Sequence, residues 1–228
     1  MSQTVFIAGG TGYMGRALIP ALLERGHRVH AVVRAGSERK LAPGAIAVPG
    51  NVLDGSTYSR SIPPDATFVQ LVGVPHPSPS KAAQFRAIDL VSAQAAVAAA
   101  QASAVRHFVY VSVAHPAPAM KVYIQVRQEC EEWIRRSGMN ATILRPWYVL
   151  GPGHRWPYLL LPGYWLCERL PATRDGAFRL GLVTLKQMVH ALVASIESPA
   201  SGIRIVDVPA IRGASLRCVT APVLESQP

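Results

Sequence analysis

The first stretch of the chain that could do chemistry is a glycine-rich segment near the N-terminus, residues 9–15, with the sequence Gly-Gly-Thr-Gly-Tyr-Met-Gly. An apolar run precedes it, and leucines at helical spacing follow it. Glycine permits a sharp turn, and its missing Cβ lets a pyrophosphate approach the main-chain N–H groups that open a helix. The spacing fits the dinucleotide fingerprint both as G-x-G-x-x-G and as G-x-x-G-x-x-G. The sequence therefore predicts a dinucleotide site, with a glycine turn that binds no ligand as the alternative, and the predicted contacts are Gly9, Thr11, Gly12, Tyr13, Met14 and Gly15.

The end of the second predicted strand bears on which dinucleotide is bound. Apolar residues predict a strand over 28–34 that ends at Arg34, and Arg39 and Lys40 follow it. An acidic residue about 20 positions after the glycines is typical of NAD sites, whereas a cation accommodates the 2′-phosphate of NADP. The sequence therefore favours NADP (NADPH) over NAD, with Arg34 at the phosphate. An Arg34 that only faces solvent is the alternative.

Strands and helices alternate along the chain and must position these residues. Strands are predicted over 5–8, 28–34, 45–48, 67–72, 107–111, 141–144 and 203–208, and helices after residue 12 and over 81–104, 120–137 and 185–197. This order predicts an α/β fold, Rossmann-like and doubly wound, with a mostly parallel sheet and helices on both faces. Ligands of such a sheet lie outside the carboxyl ends of the strands. The loops predicted to surround one cleft are therefore residues 10–15, 34, 54, 72–76, 112–115 and 146–154.

The chain is predicted to form a single NAD(P)-binding domain over residues 1–210, followed by a tail over 211–228 without a clear period. A small irregular region, 147–181, is predicted to cover the substrate. Aromatic walls suit an apolar, ring-containing or quinone-like molecule. A lid or a dimer surface is an equal alternative for this region. Its aromatic residues and histidine are Trp147, Tyr148, His154, Trp156, Tyr158, Tyr164 and Trp165.

Composition narrows the class of protein and its partners. The 228 residues are 50% hydrophobic and carry a formal charge of +10, but the cations are scattered singly or in pairs, so nucleic acid is not the expected main partner. Three cysteines without close spacing indicate neither a disulfide framework nor a zinc site and fit a reducing compartment. We expect a cytoplasmic protein without a membrane span that binds a small-molecule substrate. The alanine-rich segment 81–104 could pack on the sheet or on a second subunit, as in a homodimer.

Several segments together carry a family resemblance. They are the glycine segment with Thr11, residues 50–54, the strand 108–112, and Leu144-Arg145-Pro146 with Gly151 shortly after. With these segments the chain resembles an atypical short-chain dehydrogenase/reductase of the NAD(P)H-binding, NmrA-like or NAD-dependent epimerase/dehydratase-like kind. The resemblance implies that Asp54 contacts adenine, often through a neighbouring amide, and that Val72 and Gly73 line the ribose side, with Pro146 in a further cofactor-facing loop. For Asp54, a helix N-cap or turn carboxylate is the alternative.

The resemblance also implies a set of catalytic residues. Active members use a Ser or Thr after the fifth strand and a Tyr with a Lys four residues on. The Tyr gives or takes the proton, and the Lys holds the ribose and lowers the pKa of the tyrosine. Ser112 and Tyr123 match, but Arg127 stands in the lysine position. Tyrosine ordinarily titrates near about 10 and needs a close cation to work at neutral pH. Arginine keeps the charge, but its planar head group does not reproduce the hydrogen bonding of lysine. Tyr123 can then either act less strongly perturbed or belong to a site without turnover, and a packed tyrosine is the structural alternative.

Histidines on three of the same loops are further candidates. His76, His115 and His154 follow the fourth, fifth and sixth strands, and His115, three residues after Ser112, is the best placed to act as acid or base. Nothing fixes the spacing of the three, so no metal site is predicted. The leading hypothesis is an NADPH-dependent reductase of a carbonyl or quinone-like compound, with Tyr123 as proton donor, Ser112 orienting the substrate oxygen and Arg127 partly replacing lysine. The alternatives are a non-catalytic NADP(H)-binding sensor or assembly factor and, third, an epimerase or isomerase.

Overall fold

Seven parallel strands form the central sheet of the computed structural model, which describes residues 2–117, 119–152 and 179–214. Their order is β3-β2-β1-β4-β5-β6-β9, and β7 pairs with β8 in a separate parallel two-stranded sheet. This order confirms the predicted Rossmann-like α/β fold, and it places a topological switch point between β1 and β4. The strands are β1 (Thr4–Ala8), β2 (Arg28–Val33), β3 (Ile46–Pro49), β4 (Thr67–Gln70), β5 (His107–Val111), β6 (Ala141–Leu144), β7 (Tyr148–Leu150), β8 (Leu182–Thr184) and β9 (Ile203–Val206).

Helices cover both faces of this sheet. Successive residues of β1 divide between two cores, because side chains alternate across a strand: Phe6 belongs to the core that α3 and α4 cover, and Ile7 to the core that α1 and α5 cover. Buried aliphatic and aromatic side chains from neighbouring strands extend each core. The helices are α1 (Tyr13–Glu24), α2 (Ala82–Gln84), α3 (Val91–Ala102), α4 (Lys121–Arg136), α5 (Leu185–Glu197) and α6 (Val208–Gly213).

The predicted single helix over 81–104 is wrong in its interior. A 3₁₀ turn (Pro79–Lys81), the short α2, a π-helical segment (Phe85–Leu90) and α3 follow one another. A π turn holds more residues than an α turn and rotates the helix that follows it. Helical spacing places Phe85, Ile88, Val91 and Ala95 down one side of the predicted helix. Phe85 and Asp89 are both buried, whereas Val91 is 37% exposed. The π-helical segment thus brings a carboxylate into the core.

The fourth helix lies where it was predicted, but its buried face is rotated. The helical period places Val126, Cys130, Trp133 and Ile134 on one apolar face, with Arg127 on its edge. Val126, Cys130 and Ile134 are buried, while Trp133 is 49% exposed. Arg127, predicted at the edge of that face, is buried. The face turns toward Arg127 because both Nη atoms of the guanidinium have hydrogen-bond partners inside the protein, whereas its Nε has none among the described residues.

The C-terminal part of the described chain also differs from the prediction. The domain was expected to end at residue 210, but α6 crosses that position and buries Ile211 completely. The Asp207 carboxylate accepts a hydrogen bond from the Ala210 N–H and caps this helix. Strands β7 and β8 were not predicted, and the ends of β2, β4 and β9 come one or two residues earlier than expected.

Neither a membrane-spanning helix nor a group of metal ligands is found among the described residues. No helix among them combines the length and the apolar character that crossing a lipid bilayer requires. Within residues 2–117, 119–152 and 179–214, no three or more His, Cys, Asp or Glu side chains come together as a group that could hold a metal ion.

Candidate functional site

The glycine segment forms the tight turn between β1 and α1. Gly9 has a φ of +93°, a conformation that other residues rarely adopt. The Gly12 N–H donates to the Gly9 carbonyl at 3.0 Å and closes the turn, and the first bond of α1 runs from the Arg16 N–H to the Gly12 carbonyl at 3.0 Å. The N–H groups of residues 13–15 therefore lie in the first turn of the helix, where no carbonyl of the helix is available to them.

A side chain on Gly15 would fill this turn. A Cβ there would overlap the Gly9 carbonyl oxygen and would lie 2.5 Å from that of Gly10. Gly12, the N-cap residue, contributes no side-chain hydrogen bond, and the first turn of α1 carries no acidic residue. Open N–H groups, a helix N-terminus and space that a Cβ would occupy are what a pyrophosphate needs. The residues present fit the predicted dinucleotide.

Arg34 lies directly after β2 and is exposed, as are Arg39 and Lys40 in the 3₁₀ helix Glu38–Lys40. The nearest acid in sequence, Glu38, accepts a hydrogen bond from the Gly36 N–H at 3.1 Å. Its carboxylate is thus used to close the loop that carries Arg34. The end of β2 therefore presents three cations to solvent beside the glycine turn.

The Asp54 carboxylate is occupied by its own turn. Its Oδ1 atom accepts hydrogen bonds from the Ser56 N–H at 3.1 Å and the Ser56 hydroxyl at 2.7 Å. Asp54 is therefore the N-cap of the 3₁₀ helix Gly55–Thr57, which is the alternative that the sequence left open.

Arg127 is not a free cation beside the tyrosine, because its guanidinium is also bound by other groups of the protein. Its Nη2 lies 2.5 Å from Asp89 Oδ1, and its Nη1 donates to the Tyr110 hydroxyl at 3.1 Å and the Val111 carbonyl at 3.0 Å. Its side chain is only 7% exposed, and that of Asp89 is fully buried. The guanidinium also lies so close to Gly73 that a Cβ on Gly73 would overlap Nη2.

Tyr123 stands beside this pair, next to the carboxyl ends of β4 and β5. Its ring centroid lies 4.9 Å from that of Phe85 and 5.2 Å from Arg127 Cζ. Burial raises the pKa of the Tyr123 phenol above its ordinary value, although the Arg127 guanidinium acts to lower it. The phenol is therefore protonated at neutral pH and can donate a proton.

Ser112 is buried, and its hydroxyl donates to Glu131 Oε1 at 2.7 Å. This corrects the expectation that the hydroxyl orients a substrate oxygen, because Glu131 already uses it. Arg145 binds the same carboxylate through two bonds of 3.0 Å and 2.5 Å, and Arg135 adds a third of 2.8 Å. Burial acts to raise the pKa of Glu131, but the hydrogen bonds from Arg145 and Ser112 outweigh it and hold that pKa below its ordinary value.

His115 belongs to the same cluster. Its Nε2 lies 3.5 Å from Glu131 Oε1, and its Nδ1 lies 3.3 Å from the amide nitrogen of Gln128. Burial, followed by the charge of Arg145, lowers the pKa of His115, so the imidazole is neutral at pH 7. His76 lies in an exposed position with a φ of +49° and does not join the cluster. His154 lies outside the described residues.

Sequence reasoning missed Asp89 and Glu131. A signal for Glu131 existed, because Tyr123, Arg127, Glu131 and Arg135 follow one another at intervals of four residues and so share one face of α4. No comparable pattern identified Asp89, which the π-helical segment turns inward.

The remaining predicted residues lie on the loops expected. Val72 and Gly73 follow β4, and the Pro146 carbonyl accepts a hydrogen bond from the Ala114 N–H at 2.9 Å, which joins the loops after β5 and β6. Trp147 packs against the core under α5, and Tyr148 begins β7. The other aromatic residues predicted to cover the substrate, Trp156, Tyr158, Tyr164 and Trp165, lie outside the described residues.

Comparison with known proteins agrees with this architecture. Residues 9–155 match the family described as NAD(P)H-binding. Ceramide reductase of Caulobacter vibrioides is 25% identical over 209 residues, which cover 87% of this chain and 62% of that protein. The photosystem II assembly factor Ycf39 of Cyanophora paradoxa is 24% identical over 152 residues, which cover 63% of this chain and 44% of that protein. The chain thus spans less than two thirds of the length of both relatives.

Solved structures share the fold. The crystal structure of the Bordetella bronchiseptica enzyme WbmH in complex with NAD⁺ superposes with a TM-score of 0.66 at 22% identity and covers 89% of this chain and 75% of that one. At this level of identity the likeness concerns the fold alone.

Proposed function

The chain belongs to the NAD(P)H-binding family and is an atypical short-chain dehydrogenase/reductase, and on that premise we propose that it is an NADPH-dependent reductase of an apolar or aromatic carbonyl or quinone-like compound. The observation that carries the proposal is the place of Tyr123 against Arg127, whose guanidinium binds the carboxyl end of β5. In a sheet of this order, the ligand lies at the carboxyl ends of the strands. A proton donor therefore stands at the edge of the predicted cofactor cleft.

The proposed reaction balances with one hydride and one proton. NADPH, when bound, supplies the hydride that a carbonyl carbon accepts. Tyr123 donates its phenol proton to the carbonyl oxygen, so the C=O π bond is replaced by a C–H and an O–H bond. The phenolate that remains lies beside the guanidinium of Arg127, 5.2 Å from ring centroid to Cζ, and a proton from solvent restores it. In this proposal Ser112 and His115 act through Glu131 to position the loop after β5.

The charge at the end of β2 supports NADPH as the nucleotide. We expect Arg34→Gln to weaken NADPH binding by about 10- to 100-fold, because it removes a charge-assisted contact with the 2′-phosphate. NADH, which lacks that phosphate, should bind as it does to the unchanged protein. Fluorescence titration with both nucleotides measures the two affinities.

Arg28→Gln is the matched control for this substitution. Arg28 begins β2, the strand that Arg34 follows, and is likewise exposed, so its removal changes the net charge equally but at the opposite end of the sheet. Equal weakening of NADPH binding by both variants would show a general charge effect and remove the proposed role of Arg34.

The reductase proposal is tested by following NADPH oxidation at 340 nm against a panel of aldehydes, ketones and quinones of differing apolar character. We expect turnover with at least one aromatic or apolar member that the Tyr123→Phe variant does not support. Tight NADPH binding without turnover on any member would overturn the reductase in favour of the second candidate.

That second candidate is a non-catalytic NADP(H)-binding protein. It is favoured by two contacts that withdraw predicted catalytic groups into the protein interior, Arg127 with Asp89 and Ser112 with Glu131. The similarity to a protein named as an assembly factor points the same way. In this case the nucleotide would act as a regulatory ligand, and occupancy rather than turnover would be the function.

A further inference from the structure

Asp89 carries a fully buried carboxylate that the sequence did not indicate. It lies on the π-helical segment Phe85–Leu90, and both of its oxygens are used. Oδ1 pairs with Arg127 Nη2 at 2.5 Å, and Oδ2 accepts the N–H of Val74 at 3.0 Å. One carboxylate thus joins α4 to the main chain that follows β4.

Arg127 completes the connection to the neighbouring strand. Its Nη1 donates to the carbonyl of Val111, the last residue of β5, at 3.0 Å and to the hydroxyl of Tyr110 at 3.1 Å. Its Nη2 lies against Gly73 so closely that a side chain there would overlap it. The two side chains therefore link the carboxyl ends of β4 and β5 without reaching solvent.

We propose that Asp89 and Arg127 are a positioning pair that fixes the main chain at Gly73 and Val74 for binding of the ribose that Val72 and Gly73 are expected to line. The proposal rests on the proposed function, since residues 72–73 line the cofactor only if a dinucleotide is bound. In this proposal Arg127 acts by holding the loop after β4 and by lying against the ring of Tyr123. Its place in the motif suggested a direct contact with the cofactor instead.

Burial of the two charges costs free energy, and packing alone does not explain why a charged pair stands here. Two buried charges must be desolvated, and replacing such a pair by apolar side chains of similar volume is often neutral or stabilising for the fold. An apolar pair, however, would leave the buried N–H of Val74 without an acceptor. The property that depends on the charges is therefore the position of the loop after β4.

The test is the double variant Asp89→Leu/Arg127→Met in the full chain. We expect it to unfold cooperatively, while amide hydrogen exchange of residues 71–76 becomes at least about 10-fold faster and the Kd for NADPH rises about 10-fold. Asp89→Asn, which keeps the shape but loses the charge, should shift the same two measurements in the same direction and guards against failure of the double variant to fold.

A matched control exists on the same two elements. Arg86 of the π-helical segment binds Glu129 of α4 through two bonds of 3.0 Å each, at the surface and away from the loop after β4. Arg86→Met/Glu129→Leu should leave exchange at 71–76 and NADPH affinity unchanged. If it changes them as much as the buried pair does, the effect belongs to helix packing and the proposal is overturned.

The outcomes separate the two proposals. Unchanged exchange and unchanged NADPH affinity in a folded double variant would overturn the positioning pair while leaving the proposed function intact. If the unsubstituted protein binds neither NADPH nor NADH, the proposed function fails together with the role of the pair in nucleotide binding. Exchange at 71–76, which needs no nucleotide, then still decides whether the pair fixes the loop.

Discussion

Gly15→Ala is expected to weaken NADPH binding by at least about 100-fold, because the turn that receives the pyrophosphate must open to admit the new Cβ. That Cβ would overlap the carbonyl oxygen of Gly9 and lie 2.5 Å from that of Gly10. Both are main-chain atoms, so no side-chain rotation relieves the overlap. The shift moves the first-turn N–H groups of α1 away from the anion, and titration of intrinsic or NADPH fluorescence measures the loss.

Helix propensity makes this prediction sharper. Within a helix, alanine is more favourable than glycine by roughly 0.5–1 kcal/mol, so without the overlap the substitution would stabilise α1. Gly213→Ala is the control, since a Cβ on Gly213 in α6 meets nothing within 4 Å. Its NADPH affinity should equal that of the unsubstituted protein. Unchanged affinity of Gly15→Ala would show that the turn does not hold the nucleotide.

Tyr123→Phe is expected to lower kcat for NADPH oxidation by about 10²- to 10⁴-fold, because it removes the proton donor. The Kd for NADPH should stay unchanged, because the hydroxyl's hydrogen bond with Arg127 is lost while the contacts of Arg127 with Asp89 and Val111 remain. The phenyl ring keeps its packing on Phe85 and its place against Arg127. Steady-state assays with the best substrate of the panel, together with a nucleotide titration, separate the two parameters. A kcat within about twofold of the unsubstituted protein would remove Tyr123 from the chemistry.

The control and the pH profile distinguish proton donation from packing. Tyr58→Phe removes a buried hydroxyl that has no hydrogen-bond partner among the described residues, and it should leave kcat unchanged. Burial raises the pKa of Tyr123, so the phenol stays protonated and kcat should be level from about pH 6 to about pH 9, falling only as pH rises through that pKa. A fall in kcat that begins near neutral pH would point to a different acid.

Local patterns were enough to predict the nucleotide end of the site. The glycine turn, the strand before it and the helix after it are adjacent in sequence, and the sterics of Gly9 and Gly15 fix the turn without help from distant residues. The alternation of strand and helix likewise predicted the parallel sheet, because the rules that connect such elements permit few arrangements. Arg34 and the loops after β4, β5 and β6 consequently lie at the edge where they were expected.

The contacts of the predicted catalytic residues Arg127 and Ser112 depend on partners far along the chain, which sequence spacing does not reveal. Arg127 matched a motif position, but its role is decided by Asp89, 38 residues earlier, and Ser112 is engaged by Glu131, 19 residues later. The π-helical segment that turns Asp89 inward carries no mark in the sequence. The exposure of Trp133 could not be predicted for the same reason, because a buried ion pair as well as the apolar residues fixes the rotation of α4.

We propose that this chain binds NADPH at the turn between β1 and α1. The most direct test of this proposal is calorimetric titration of the unsubstituted protein with NADPH and with NADH. We expect saturable binding of one NADPH per chain, with a Kd at least about 10-fold lower than that for NADH. Absence of saturable binding of either nucleotide would contradict it.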